Sequence, residues 1–122
     1  MTKFFYDSYA ILEFINGNPN YSKYFIKHEG VTTLYNVMEV FYITLREEGE
    51  EKAKKILNFM KSITIYPSFD DVENSMKFRL IHKKKKLSYA DCLGYTMANK
   101  NNIKFLTGDK EFKEITNVEF VK

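Results

Sequence analysis

Four acidic side chains stand apart from other acids in apolar or basic stretches: Asp7, Glu39, Asp91 and Asp109. Glu39 is the only acid in positions 31–45, and Asp91 and Asp109 are the only acids in positions 74–110. Carboxylates that a fold gathers together repel each other, and a hard cation such as Mg²⁺ or Mn²⁺ relieves that repulsion because it prefers oxygen ligands. Such an ion activates water and offsets charge on a phosphate. The candidate chemistry is therefore metal-assisted hydrolysis, provided that the fold brings these side chains together.

Three of these acids also have an ordinary structural explanation. Asp7 suits the N-cap of a helix, and Ser88 followed three residues later by Asp91 is a capping-box pattern. Glu39 could be a half-exposed residue on the flank of a helix. Because each signal is weak alone, the metal-site hypothesis depends on the joint placement of the four acids in the fold.

Two of the acids follow predicted strands. Positions 3–6 form a short apolar strand that Asp7 follows, and positions 104–107 form another that Asp109 follows after one glycine. In an open α/β sheet, the carboxyl ends of the parallel strands face one crevice. Right-handed crossovers bring Asp91, which begins the helix before position 104, to the same edge of the sheet.

Strand and helix patterns alternate along the whole chain. Helices are predicted at 9–15, 21–27, 34–48, 50–62, 68–81 and 88–99, a break at 28–30, and further strands at 31–33, 63–66 and 118–121. This alternation predicts an α/β fold in which helices cover both faces of a parallel sheet, built as one domain over residues 1–122. The apolar spacing in 34–48 predicts a core stripe of Leu34, Val37, Met38, Phe41 and Leu45.

Composition narrows the class of protein. The chain has 122 residues with 44% hydrophobic and 16% aromatic content, which is typical of a globular rather than a disordered protein. Cys92 is the only cysteine, so no intrachain disulfide can form. No apolar run approaches the ~18 residues of a membrane span, and the N-terminus lacks the apolar run of a secretory signal. We expect a soluble cytoplasmic protein, and the net charge of +3 permits a nucleic-acid partner.

Four motifs in order give the sequence a family resemblance. FFYDS at 4–8 contains Asp7, VMEV at 37–40 contains Glu39, and LSYAD at 87–91 contains Asp91. FLTGDKEF at 105–112 has the pattern Thr-x-Asp-x-x-Phe, which places Thr107 beside Asp109. In these motifs and over its whole length, the chain resembles the PIN-domain family, and in particular the small VapC-like toxins of bacterial and archaeal toxin–antitoxin pairs.

The resemblance implies a three-layer α/β/α sandwich with a mostly parallel central sheet, and metal-dependent endoribonuclease activity. It implies that Mg²⁺ or Mn²⁺ is held by Asp7, Glu39, Asp91 and Asp109, and that Thr107 belongs to the same site. It also implies a homodimer and a cognate antitoxin protein that blocks the site. A toxin and a housekeeping nuclease both remain open at the level of sequence.

The expected reaction is attack of water on an RNA phosphodiester bond. Glu39 would either bind the metal directly or hold a metal-bound water as base. The basic run from Lys83 to Lys86 is explained first as a solvated helix end whose cations suit the helix dipole. It could also, with Tyr9 or Tyr89, help to seat the RNA strand by charge and by stacking.

Two other classes of function remain as alternatives. The first is an interaction module that keeps the PIN fold without catalysis, although the presence of all four acids argues against it. The second is a Mg²⁺-binding phosphoacceptor receiver domain, which has adjacent acids after its first strand. It fits less well because Ser8, and not a second acid, follows Asp7.

Overall fold

A computed structural model describes residues 2–122 of the chain. At its centre is a five-stranded parallel sheet in the order β3-β2-β1-β4-β5. The strands are β1 (Lys3–Tyr6), β2 (Glu29–Thr33), β3 (Thr64–Ile65), β4 (Lys104–Thr107) and β5 (Val118–Phe120). The helices are α1 (Ser8–Ile15), α2 (Ser22–Ile26), α3 (Leu34–Glu48), α4 (Glu50–Lys61), α5 (Phe69–Ile81) and α6 (Tyr89–Lys100), and a 3-10 turn covers Lys110–Phe112. The predicted α/β class is confirmed.

Strand β1 lies in the middle of the sheet and is buried on both faces. Phe5 stacks on Phe105 of β4 with 5.6 Å between ring centroids, and Tyr95 of α6 covers this pair. On the opposite face, Phe4 and Tyr6 pack with side chains of α1, α3 and α4. Helices therefore cover the sheet on both sides, as a three-layer sandwich requires.

Strand β2 begins earlier than the sequence predicts. Positions 28–30 were expected to break the chain, but Glu29 and Gly30 pair with Lys3 and Phe4 of β1. Gly30 is used inside the strand because a Cβ at this position would lie 2.1 Å from the ring of Tyr6. The glycine therefore marks close packing and not a turn.

The apolar face that α3 turns toward the core differs from the predicted stripe. Leu34, Met38 and Leu45 were expected to be buried but are 48%, 63% and 38% exposed. The helix instead buries a neighbouring face that includes Val37 and Val40. Both faces are apolar, and the 3.6-residue period alone does not decide which of them meets the sheet.

Large apolar side chains are exposed on α3, on α5 and at the start of α6. We call this surface the outer apolar face; its residues are Leu34, Tyr35, Met38, Tyr42, Leu45, Phe69, Val72, Met76, Leu80, Ile81 and Tyr89. A groove of about 220 Å³ lies between the three helices and is lined by Tyr35, Met76 and Tyr89.

None of the helices in residues 2–122 has the length and hydrophobicity that a membrane span requires.

Candidate functional site

All four acids singled out in the sequence line one open pocket of about 300 Å³ at the carboxyl ends of β1 and β4. Asp7 directly follows β1, and Asp109 lies two residues past the end of β4. Glu39 comes from the second turn of α3, and Asp91 from the first turn of α6. The parallel sheet thus brings together side chains as far apart in the sequence as Asp7 and Asp109.

Asp7 is the most deeply buried of these acids, with 3% of its surface exposed. It occupies the N-cap position of α1, but its side chain makes no capping hydrogen bond. Oδ2 instead accepts a hydrogen bond of 2.7 Å from the hydroxyl of Thr107. The pKa of the Asp7 carboxyl is raised from 3.8 to about 8, chiefly by burial and then by the nearby charges of Asp91 and Glu39, while the Thr107 hydrogen bond opposes the shift. Helix capping therefore does not account for this aspartate.

Thr107 links the two strand-end aspartates. Its hydroxyl donates to Asp7 and accepts a hydrogen bond of 3.1 Å from the backbone N–H of Asp109. Oδ1 of Asp109 in turn accepts from the N–H of Glu111 at 3.0 Å, so Asp109 caps the 3-10 turn. Thr107 is fully buried, so both of its hydrogen bonds are shielded from water.

Asp91 has the structural role that its sequence pattern predicts and also lines the pocket. The N–H of Ser88 donates to Oδ2 of Asp91 at 2.8 Å, and the N–H of Asp91 donates to Oγ of Ser88 at 3.0 Å. Burial raises the pKa of the Asp91 carboxyl, the hydrogen bonds with Ser88 lower it, and the charges of Asp109 and Glu39 raise it. The net shift of the Asp91 pKa is upward, so burial and the neighbouring negative charges outweigh the hydrogen bonds with Ser88.

Glu39 is exposed and reaches the same pocket from α3. Among the salt bridges of residues 2–122, none involves Asp7, Glu39, Asp91 or Asp109. The pocket therefore gathers negative charge that no lysine or arginine pairs with. Such charge requires protonation, solvent or a cation to compensate it.

A divalent cation fits the chemistry of this pocket. The four candidate ligands supply only carboxylate oxygens, which suit Mg²⁺ and Mn²⁺. As the side chains stand, however, no three acidic, histidine or cysteine residues within the described range are close enough to hold one ion. The four carboxylates thus line one pocket, but they do not converge on a single point within it.

The basic loop before α6 reaches the pocket at one residue. Lys86 lines the pocket, and its backbone N–H donates to Oε1 of Glu111 at 3.1 Å. This bond ties the loop to the turn that follows Asp109. Tyr9 lines the pocket as well, whereas Tyr89 lies under the guanidinium of Arg79, 4.6 Å from the ring centroid, on the outer apolar face.

Sequence reasoning missed Asn36, which is fully buried on α3 one turn before Glu39. Its side chain bonds to Ser8, next to Asp7, and to Thr33 at the end of β2. A polar amide on the buried side of an apolar helix was a signal that could have identified this residue, because buried polar groups need partners.

Comparisons with known proteins agree on one fold. The family model for the PIN domain matches residues 4–118. A toxin–antitoxin complex from Klebsiella pneumoniae aligns with a TM-score of 0.74 at 20% identity, covering 93% of each chain. The toxin VapC20 of Mycobacterium tuberculosis, which cleaves the sarcin–ricin loop, aligns with a TM-score of 0.78 at 15% identity over 98% of this chain and 99% of its own.

A third solved structure is VapBC2 of Rickettsia felis bound to a DNA fragment from its promoter. It aligns with a TM-score of 0.72 at 17% identity, covering 98% of each chain. No curated protein matches the sequence significantly. At these identities, the structural likeness establishes the fold.

Proposed function

Because the chain belongs to the PIN-domain family, we propose that it is a metal-dependent endoribonuclease and the toxin of a toxin–antitoxin pair. The observation that carries this proposal is the acidic pocket at the carboxyl edge of the sheet. There the buried Asp7 is held by Thr107 and faces Asp91, Asp109 and Glu39 without a paired cation. The alternative is a housekeeping nuclease with the same chemistry, and a growth assay distinguishes it from a toxin.

The proposed reaction is hydrolysis of an RNA phosphodiester bond by water. Asp7, Asp91, Asp109 and Glu39 would hold Mg²⁺ or Mn²⁺, which when bound supplies a more acidic water and positive charge near the phosphate. Thr107 keeps the Asp7 carboxylate in one orientation through its hydrogen bond. Glu39 is the exposed member of the set, which suits a base that takes the proton from the attacking water.

RNA is the substrate we propose for the pocket. Lys86 lies on its rim, and three further lysines, Lys83 to Lys85, precede it in the same loop. Cations beside an acidic metal pocket attract the phosphates that flank the bond to be cut. Tyr9 offers an aromatic ring at the same pocket, on which a base could stack.

The outer apolar face supports a homodimer. Eleven large apolar side chains on it are more than one-third exposed. If each of these side chains exposes of the order of 100 Å², the face exposes roughly 1,000 Å². This area is larger than the roughly 300–600 Å² of the largest apolar patch on an ordinary monomer. It is similar to the ~800 Å² that each partner buries in a standard protein–protein interface. We therefore assign this face to a second copy of the chain, and an antitoxin protein remains a separate partner.

The test of the activity compares the wild type with Asp7→Asn. Each protein is incubated with total cellular RNA in Mn²⁺, and again with excess EDTA. We expect cleavage only by the wild type with Mn²⁺, because Asn keeps the acceptor for Thr107 but lacks the charge. Asp70→Asn, an exposed acid in the first turn of α5, is the matched control and should cleave normally. Cleavage by Asp7→Asn or in EDTA would refute the mechanism.

A second measurement separates a toxin from a housekeeping nuclease. Induced expression of the wild type in a bacterial host should arrest growth, and Asp7→Asn should not. Normal growth with active wild-type enzyme would contradict the toxin assignment and leave the nuclease intact.

A further inference from the structure

We infer that Asn36 is a positioning residue for the acidic pocket, acting through the hydroxyl of Ser8. Asn36 lies in the first turn of α3 and is fully buried. It stands one turn before Glu39, and Ser8 directly follows Asp7 in the sequence. Asn36 therefore connects α3, which carries Glu39, with α1, whose N-cap is Asp7.

Asn36 is held rigidly from its own side. The hydroxyl of Thr33 donates to Oδ1 of Asn36 at 2.6 Å, and Oγ1 of Thr33 accepts from the backbone N–H of Asn36 at 3.4 Å. Thr33 is the last residue of β2 and the N-cap of α3, and it is fully buried. The amide is thereby locked to the strand end, and its Nδ2 can point in only one direction.

That direction is toward Ser8. Nδ2 of Asn36 donates to Oγ of Ser8 at 2.9 Å, across 28 positions of sequence. The path Thr33–Asn36–Ser8 is a buried chain of polar groups, and each bond in it is strengthened by the exclusion of water. It joins the end of β2, the first turn of α3 and the first turn of α1.

The hydrogen-bonded path reaches the acidic pocket at Ser8. Ser8 lines the acidic pocket together with Asp7 and Glu39. Since Oγ of Ser8 accepts a hydrogen bond from Asn36, its own proton is available for an oxygen in the pocket, such as a carboxylate or a phosphate. Asn36 thus sets both the orientation of this donor and the spacing of the two helices that carry Asp7 and Glu39.

This inference rests on the proposed function, and metal binding tests it without an activity assay. Wild type, Ser8→Ala, Asn36→Leu and the double variant are titrated with Mn²⁺, and free Mn²⁺ is read by electron paramagnetic resonance. We expect each single substitution to weaken Mn²⁺ binding about tenfold, as for residues that orient metal ligands. The double variant should bind no more weakly than the weaker single one, because both act through one path.

Thr44→Val is the matched control. Thr44 is buried on the same helix, and its hydroxyl has no hydrogen-bond partner among the described residues. Its substitution should leave Mn²⁺ affinity unchanged. Denaturant unfolding of every variant shows which fraction is folded in the titration.

Four outcomes decide between the possibilities. Weakened binding by both single variants without full additivity supports the inference. Asn36→Leu with lowered stability but wild-type affinity per folded molecule overturns it, because the role is then purely structural. Unchanged affinity of Ser8→Ala overturns it even if Asn36→Leu does not fold. A wild type that binds no Mn²⁺ refutes the proposed function together with this inference.

Discussion

The hydroxyl of Thr107 donates a hydrogen bond of 2.7 Å to the carboxylate of Asp7, across 100 positions of sequence. The bond joins the ends of the adjacent strands β1 and β4, which pair in parallel with Tyr6 opposite Leu106. A buried carboxylate needs such a donor, since desolvation otherwise favours its neutral form. The two residues therefore act as one unit, in which Asp7 lines the acidic pocket and Thr107 holds it from behind.

We expect Thr107→Val to lower both stability and metal affinity, while Thr107→Ser preserves them. Valine has the same shape but leaves the Asp7 carboxylate and the Asp109 N–H without this hydroxyl, which should cost about 1–3 kcal/mol of unfolding free energy. Mn²⁺ affinity should fall about tenfold. Denaturant unfolding and Mn²⁺ titration measure the two effects. Equal behaviour of the valine and serine variants would show that the hydroxyl is dispensable.

We expect Asp7→Asn to stabilise the metal-free protein at neutral and alkaline pH. The pKa of Asp7 is raised from 3.8 to about 8, so the folded state binds this proton more tightly than the unfolded state does. The stability of the wild type should therefore be highest below pH 4 as far as this group is concerned, and fall as pH rises toward 8. Asn cannot ionise and should remove this slope, with a gain of about 1–3 kcal/mol at pH 8.

The measurement is denaturant unfolding of both proteins in EDTA at several pH values. Added Mg²⁺ should reverse the order, because it stabilises the wild type through its carboxylates and not the variant. A lower stability of Asp7→Asn than of the wild type at every pH in EDTA would contradict this prediction. It would show that the ionised carboxylate of Asp7 is stabilised by its hydrogen bonds within the fold.

We expect Lys86→Ala to weaken RNA binding more than the chemical step. Lys86 is the member of the basic loop that lines the pocket, so its loss should raise KM several-fold and leave kcat nearly unchanged. The slope of log affinity against log salt should decrease by about one. Lys77→Ala is the control, since Lys77 pairs with Glu73 on α5. A drop in kcat with unchanged KM would give Lys86 a part in the reaction itself.

We expect Met38→Lys to dissociate the proposed dimer without unfolding the chain. Met38 is 63% exposed on the outer apolar face, so a lysine there costs the monomer little, whereas a charge buried in a dimer is costly. Sedimentation equilibrium should show a dimer for the wild type and a monomer for the variant. Ile26→Lys, an equally apolar exposed position on α2, is the control and should remain dimeric. A monomeric wild type, or a dimeric Met38→Lys, would contradict this assignment of the face.

Patterns among neighbouring residues were enough to predict the helices and strands and to identify the candidate acids. The strand Lys104–Thr107 and the capping box of Ser88 with Asp91 occur as predicted, because hydrogen bonds three residues apart depend on nearby residues only. The alternation of strands and helices was likewise sufficient for the parallel α/β class.

Only the tertiary structure decided the features that depend on distant partners. The apolar face of α3 that meets the core, Gly30 as part of a strand, and the burial of Asp7 against Thr107 all follow from packing between segments far apart in sequence. Periodicity and capping patterns describe one segment at a time. They do not contain the free energy of contacts that exist only after the sheet has brought these segments together.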